Sequence, residues 1–168
     1  MRGVSVESIK EKFSYDPETG IVTAKSGNKF YLNHNKYLYV SFVRSEYDYT
    51  RILAHRIAWC LTFGKWPDQL IDHINGIKTD NRLCNLREAN RSQNAFNRHS
   101  KTKNEKAGKL RGVVLETRNG VNKNKWKANI SVNCQNIHIG YFDTEAEAYE
   151  AFKKEAVKYF GDFANNLK

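Results

Sequence analysis

Apolar residues recur at helical spacing through Val6, Ile9 and Phe13, which predicts a short N-terminal helix. Tyr15-Asp16-Pro17-Glu18-Thr19-Gly20 follows as a turn, with Pro17 presetting φ and Gly20 closing it. Residues 21–50 are rich in Val, Tyr and Phe and predict short strands. From Ile52 to Phe63 the pattern turns helical again, with Leu53, Ile57, Ala58 and Leu61 on one side and Gly64 as the stop. Leu70-Ile71-Asp72-His73 reads as a strand and Leu83 to Leu86 as its partner, with Asn75-Gly76 and Asp80-Asn81 as loop chemistry between them. A further helix is predicted from near Asn90 to Asn97.

Residues 99–109 carry no apolar periodicity and mark a domain boundary. Beyond them come three strands, 111–117, 125–133 and 136–142, then a helix opened by Thr144 with Glu147 completing a capping box. Its buried stripe is Tyr149, Phe152, Ala156 and Tyr159 or Phe160, and Gly161 ends it. In the middle strand, polar Lys125, Lys127, Asn129 and Ser131 alternate with apolar Trp126, Ala128, Ile130 and Val132, giving one buried and one wet face. The expected architecture is α+β: a first unit over 1–98, a basic linker over 99–109 and a second unit over 110–168.

A chain of 168 residues is too short for a barrel enzyme or a full doubly wound dinucleotide fold with a second domain. No apolar run approaches the roughly 20 residues of a membrane helix, and no apolar segment follows Arg2 as in a signal peptide. The expectation is a soluble, cytoplasmic protein. Cys60, Cys84 and Cys134 are odd in number and match no zinc-knuckle or redox spacing, so all three are expected as reduced packing thiols. The net charge of +10 changes the picture most. Residues 87–127 hold 12 basic and 3 acidic side chains, so nearly all the excess lies in one central stretch that suits a phosphate-tracking surface.

Candidate chemistry sits in Ile71-Asp72-His73-Ile74-Asn75-Gly76, Asp80-Asn81-Arg82, Asn85-Leu86-Arg87 and Arg91-Ser92-Gln93-Asn94. An Asp-His pair puts a hard oxygen ligand beside a side chain that takes a proton near neutral pH. Alone, such a dipeptide is more often a satisfied structural pair than a site. Here Asn85 stands twelve residues after His73 and Asn94 nine further on. This string resembles the HNH nuclease motif in its phage and intron homing-endonuclease branch. The resemblance extends upstream to Tyr15-Asp16-Pro17, Ala54-His55-Arg56-Ile57-Ala58-Trp59 and Gly64-Lys65-Trp66-Pro67. It implies two short strands and a helix around one divalent metal, Mg²⁺ or Mn²⁺. It further implies His73 as general base, Asn85 holding the imidazole in place, and Asp72 and Asn94 as metal ligands. Asn94 stands where the motif's name has a final His. The implied reaction is hydrolysis of a DNA phosphodiester. His55 is expected in the core, His34 and His99 in polar loops, and Trp59 and Trp66 as core and turn anchors.

Arg111-Gly112-Val113, Trp126-x-Ala128-x-Ile130, Ile139-Gly140-Tyr141-Phe142-x-Thr144, Ala146 to Ala156 and Gly161 to Asn165 together resemble the plant Apetala/ethylene-response-factor DNA-binding domain. That resemblance implies a three-stranded antiparallel sheet, backed by one helix, set into the major groove of double-stranded DNA. By position, Arg111, Lys125, Lys127, Asn129, Ser131, Asn136 and His138 would face DNA. Val114, Glu116 and Ser131 stand where plant members place Arg, so the plant target sequence does not transfer. The leading expectation is a site-specific, phage-type homing endonuclease. It would act as a monomer without an obligate protein partner and nick one strand, since there is one motif and no heptad pattern. The competing class is a DNA-binding regulator with an inactive nuclease unit. An RNA-directed protein is weaker, because no aromatic pair stands on the wet strand faces.

Overall fold

The computed structural model describes residues 4–45, 48–97, 110–118, 121–164 and 167. The chain divides into two compact units, Met1–Asn90 and Arg91–Lys168. The predicted linker 99–109, with His99, lies outside the described residues.

In the first unit, α1 (Val6–Lys12) begins at Ser5, whose side chain accepts from the Ser8 N–H. The helix stops one residue short of Phe13, which enters the extended strand β1 (Phe13–Tyr15) and pairs antiparallel with β2 (Val22–Ala24). Three antiparallel strands follow, β3 (Tyr31–Leu32), β4 (Leu38–Ser45) and β5 (Asp48–Leu53). The next helix, α2 (Ala54–Phe63), starts two residues later than its periodicity predicts. Ile52 and Leu53 stay in β5 opposite Val40 and Tyr39, and Ile52 is 0% exposed, so sheet pairing outweighs the helical pattern there. The core gathers Ile9, Phe13, Val40, Phe42, Ile52, Ile57 and Cys60. Trp66 anchors the chain after α2 by donating Nε1–H to the Val4 carbonyl.

The hairpin that carries the candidate chemistry is β6 (Leu70–His73) with β7 (Leu86–Ala89). The partner strand therefore begins at Leu86. Leu83–Asn85, predicted as strand, forms a single 3-10 turn because Leu83 N–H goes to the Pro17 carbonyl and Asn85 N–H to Arg82 rather than to β6. Ala58, Ile71 and Leu86 make a small apolar cluster beneath the hairpin, with Tyr15, Val22 and Trp59 packed against it.

In the second unit, α3 (Arg91–Asn97) is followed by the antiparallel strands β8 (Val113–Arg118), β9 (Val121–Val132) and β10 (Gln135–Phe142), then α4 (Glu145–Phe160). Both halves of the Thr144–Glu147 capping box are formed. The buried stripe of α4 is Ala148, Tyr149, Phe152, Ala156 and Phe160, while Tyr159 faces water. The helix covers a sheet face that buries Ala128 and Ile130. Phe96 of α3 stacks on Phe160 at 4.1 Å, which joins α3 to this unit although its sequence lies before the predicted boundary. Gly112, at φ +72°, has no room for a side chain: a Cβ would stand 2.3 Å from the Phe152 ring.

Only part of the cysteine expectation holds. Cys60 is a buried packing thiol, but Cys84 in the 3-10 turn and Cys134 in the β9–β10 turn are exposed. Both stand in tight turns that leave their thiols at the surface. Among the described residues, no helix is long and apolar enough to cross a membrane.

Candidate functional site

Antiparallel pairing sets Asp72 opposite Arg87 and His73 opposite Leu86. A directly opposed pair is close enough for side chains to meet, and Arg87 Nε donates to Asp72 Oδ2 at 3.1 Å. Ile71, Asp72 and His73 are all buried, at 7%, 6% and 3% exposure, so from Ile71 on the strand is covered on both faces, and only Leu70 at its start is exposed. Asp72 meets a cation from the neighbouring strand, whereas the His73 ring meets aromatic side chains of other elements. The His55 ring of α2 lies edge-on to His73 with centroids 5.1 Å apart, and Tyr37 packs against both rings. Lys78 reaches back across the Tyr37 ring to the Asn35 carbonyl.

Between the two strands the loop is tied at every turn. Gly76 N–H donates to the His73 carbonyl, Ile77 N–H to Asn75 Oδ1, and Asp80 N–H to the Ile77 carbonyl. Arg82 forks onto both carboxylate oxygens of Asp80, at 2.8 and 2.7 Å, and Asn75 Nδ2 donates to Asp80 Oδ2. Those donors, Arg82 first, hold the Asp80 carboxyl far below its ordinary value. Asn85 spans the loop mouth: its Oδ1 accepts from Asn75 N–H at 2.9 Å, and its Nδ2 donates to the Asp80 carbonyl at 2.7 Å.

The side chain that meets the imidazole is Asn81, with Oδ1 at 3.0 Å from His73 Nε2. The resemblance gives the grip on the ring to Asn85, but the structure has Asn85 hold the backbone of the loop that carries Asn81. The sequence places Asn81 within the candidate string and gives it no role of its own, since it reads there as one more polar turn residue beside Asp80. Its 2% exposure is the sign that sets it apart. The turn at Tyr15–Gly20 is also more than a connector. Tyr15 Oη donates to the Asn81 carbonyl at 2.8 Å, and Gly20 at φ +75° lies so close that a Cβ would stand 2.4 Å from Arg82 N.

Burial pushes the His73 imidazole below its ordinary value, against the Asn81 hydrogen bond and the Asp72 charge, which pull it up. Burial, then the neighbouring His73 and Arg56, pushes His55 down to about 3. Both rings are therefore neutral near pH 7, the form a general base needs. Among the described residues no group of three or more His, Cys, Asp and Glu side chains is gathered, so they form no closed structural metal cage. The buried Asp72 carboxylate is a hard oxygen donor, and the one thiol of this unit's core, Cys60, lies in a separate apolar cluster. That donor chemistry fits an oxygen-preferring divalent ion. Asn94 lies on α3, in the second unit.

Six of the seven predicted DNA-facing residues lie on β9 and β10. Register sets Asn136 opposite Ser131 and His138 opposite Asn129, with Tyr141 and Val114 flanking Lys127. Asn129, Ser131, Asn136 and His138 thus share one face, and His138 Nδ1 lies 3.3 Å from Asn129 Oδ1. Lys125 is exposed and paired with Asp143. The seventh, Arg111, has a different employment. Its Nη1 donates to the Phe96 carbonyl at 2.6 Å and its guanidinium lies 4.0 Å from the Phe96 ring centroid, fastening α3 to the sheet. A groove of about 710 Å³ opens here, lined by Arg91, Ser92, Arg111, Asn129, Ser131 and Asn136 among others.

Residues 53–96 match the HNH endonuclease family model, and this stretch carries an HNH endonuclease domain. The chain is similar to an uncharacterized HNH endonuclease, L560, of Acanthamoeba polyphaga mimivirus, with 31% identity over 121 residues. The match covers 71% of this chain, which spans about three fifths (59%) of that relative. A solved structure described as DNA binding and cleavage by the HNH homing endonuclease I-HmuI is similar at 23% identity and a TM-score of 0.45, covering 64% of each chain.

Proposed function

We propose that this chain is a metal-dependent DNA endonuclease of the homing type that nicks one strand of an asymmetric site. The observation that carries the reading is the buried Asp72–His73 pair inside the HNH endonuclease match, the carboxylate met by Arg87 and the imidazole by Asn81. His73 takes a proton from the water that attacks phosphorus, a step worth roughly 10²–10⁴ in rate. Arg87 fixes the direction of the Asp72 carboxylate. Asp72 and Asn94 would hold Mg²⁺ or Mn²⁺, Asn94 on motif spacing alone. When bound, such an ion neutralises charge that grows on the scissile phosphate and leaving oxygen.

The wet face of β9 and β10 suits the major groove, which admits a β-ribbon as readily as a helix. Lys127, Asn129, Ser131, Asn136 and His138 are the proposed readers, with Lys125 beside them and Arg111 at the edge of the groove. This division assigns cutting to the HNH stretch and site choice to the stranded unit, resembling the Apetala/ethylene-response-factor domain, in a protein that works as a monomer in the cytoplasm of a phage-infected cell. The test uses the full chain with supercoiled plasmid and Mg²⁺, with and without chelator, then a cognate duplex labelled on each strand separately. Open circles that accumulate before linear DNA, and only without chelator, are expected. Equal cleavage of both strands in excess chelator would overturn both the metal and the nicking assignment.

A further inference from the structure

We propose that Asn81 is the positioning residue for His73, and that the Tyr15–Gly20 turn exists to hold Asn81 in place. The inference rests on the reading of His73 as general base, and its geometry is independent of it. Three contacts converge on one residue of the loop. The Asn81 side chain meets His73 Nε2 at 3.0 Å, its carbonyl accepts the Tyr15 hydroxyl at 2.8 Å, and Gly20 packs against its C-terminal peptide without room for a Cβ. Tyr15 and Asn81 are 66 positions apart in sequence, so this brace is tertiary, not a local turn preference.

An imidazole has two ring nitrogens that exchange donor and acceptor roles with its tautomer. A carboxamide can answer either role, with oxygen toward an N–H or NH₂ toward a lone pair. Asn81 therefore fixes the ring direction through Nε2 in either tautomer of His73, which an apolar side chain cannot do. The His55 and Tyr37 rings pack against the same imidazole, and the Asn81 amide meets it at Nε2. Burial of Asn81 at 2% exposure means that removing its partner would leave a polar group unsatisfied, which sharpens the geometry.

The test compares wild type, Asn81→Ala, Asn81→Asp and Tyr15→Phe in the full chain. Two readouts are taken: the ¹⁵N and ¹H signals of the His73 ring, and DNA cleavage split into KM and kcat. Asn81→Ala is expected to shift or broaden the His73 ring signals and lower kcat about 10-fold, part of the roughly 10²–10⁴ that general-base catalysis supplies, with KM within two-fold, ~0.4 kcal/mol. Tyr15→Phe, which keeps the ring and removes only the hydroxyl, should move both readouts the same way by less. Asn81→Asp, which keeps an oxygen at the same reach, should restore the ring signals more than the rate. If the Asn81 variants fail to fold, Tyr15→Phe alone decides. Ring signals identical to wild type in every folded variant overturn the proposal. Wild-type protein that cuts no DNA, yet shows the expected ring shifts, would sink the nuclease reading and leave the positioning role standing.

Discussion

His55 and His73 meet edge to face, their planes at 89° and their centroids 5.1 Å apart, in a pocket closed by Tyr37. A charge on either imidazole disfavours a charge on the other, and burial together with His73 pushes His55 down to about 3.

Stability should accordingly fall with acid through His55. Above its unfolded value of 6.5 both states hold the neutral ring and its contribution is full. Below 6.5 the unfolded chain takes up a proton that the folded chain refuses until about pH 3, so stability is lost across that window. One such proton gives a slope of at most about 1.4 kcal/mol per pH unit. Urea unfolding at pH 7 and pH 5 should show a smaller loss in His55→Gln than in wild type. An equal loss in both would assign the acid sensitivity elsewhere.

His73→Ala should slow DNA cleavage by at least roughly 10²-fold, and Asp72→Ala or chelator should abolish it, while both leave duplex affinity within a few-fold. The check is single-turnover cleavage beside a binding isotherm. Wild-type cleavage by either variant would remove that residue from its proposed role.

Gly20→Ala tests the brace without touching the site. The new Cβ meets the Asn81–Arg82 backbone at a φ of +75°, where strain and overlap add. The expected cost exceeds about 1 kcal/mol of stability, and it should come with a cleavage rate below that of a control change such as Lys29→Ala. Unchanged midpoint and rate would mean that the turn moves freely away from the loop.

Arg111 and Lys127 should separate in the second unit. Loss of the charged hydrogen bond from Arg111 to Phe96 in Arg111→Ala is expected to destabilise by about 1–3 kcal/mol. Lys127→Ala should leave the melting temperature near wild type, weaken duplex binding across sequences, and reduce the slope of log K against log salt by about 0.9. Thermal melts and salt titrations distinguish the two. A reduced salt slope with no loss of stability in Arg111→Ala would return Arg111 to the DNA face.

What the chain alone determines here is local. The α4 cap, the alternation along β9 and the Asp72-His73 spacing are each written within a dozen residues, because helix periodicity, strand pleat and turn chemistry are short-range. Even the His55 burial follows from its place among the apolar positions of α2. Tertiary structure decided the rest. Whether Ile52 joined helix or strand depended on Val40 across the sheet. Leu83–Asn85 became a turn because the Pro17 carbonyl, 66 positions away, captured the Leu83 N–H. Arg111 is engaged by α3 because a backbone carbonyl and a ring there came within its reach. Asn81 meets His73 in a loop that Tyr15 and Gly20 touch from 61 or more positions away, and short-range patterns do not encode a contact between segments so far apart.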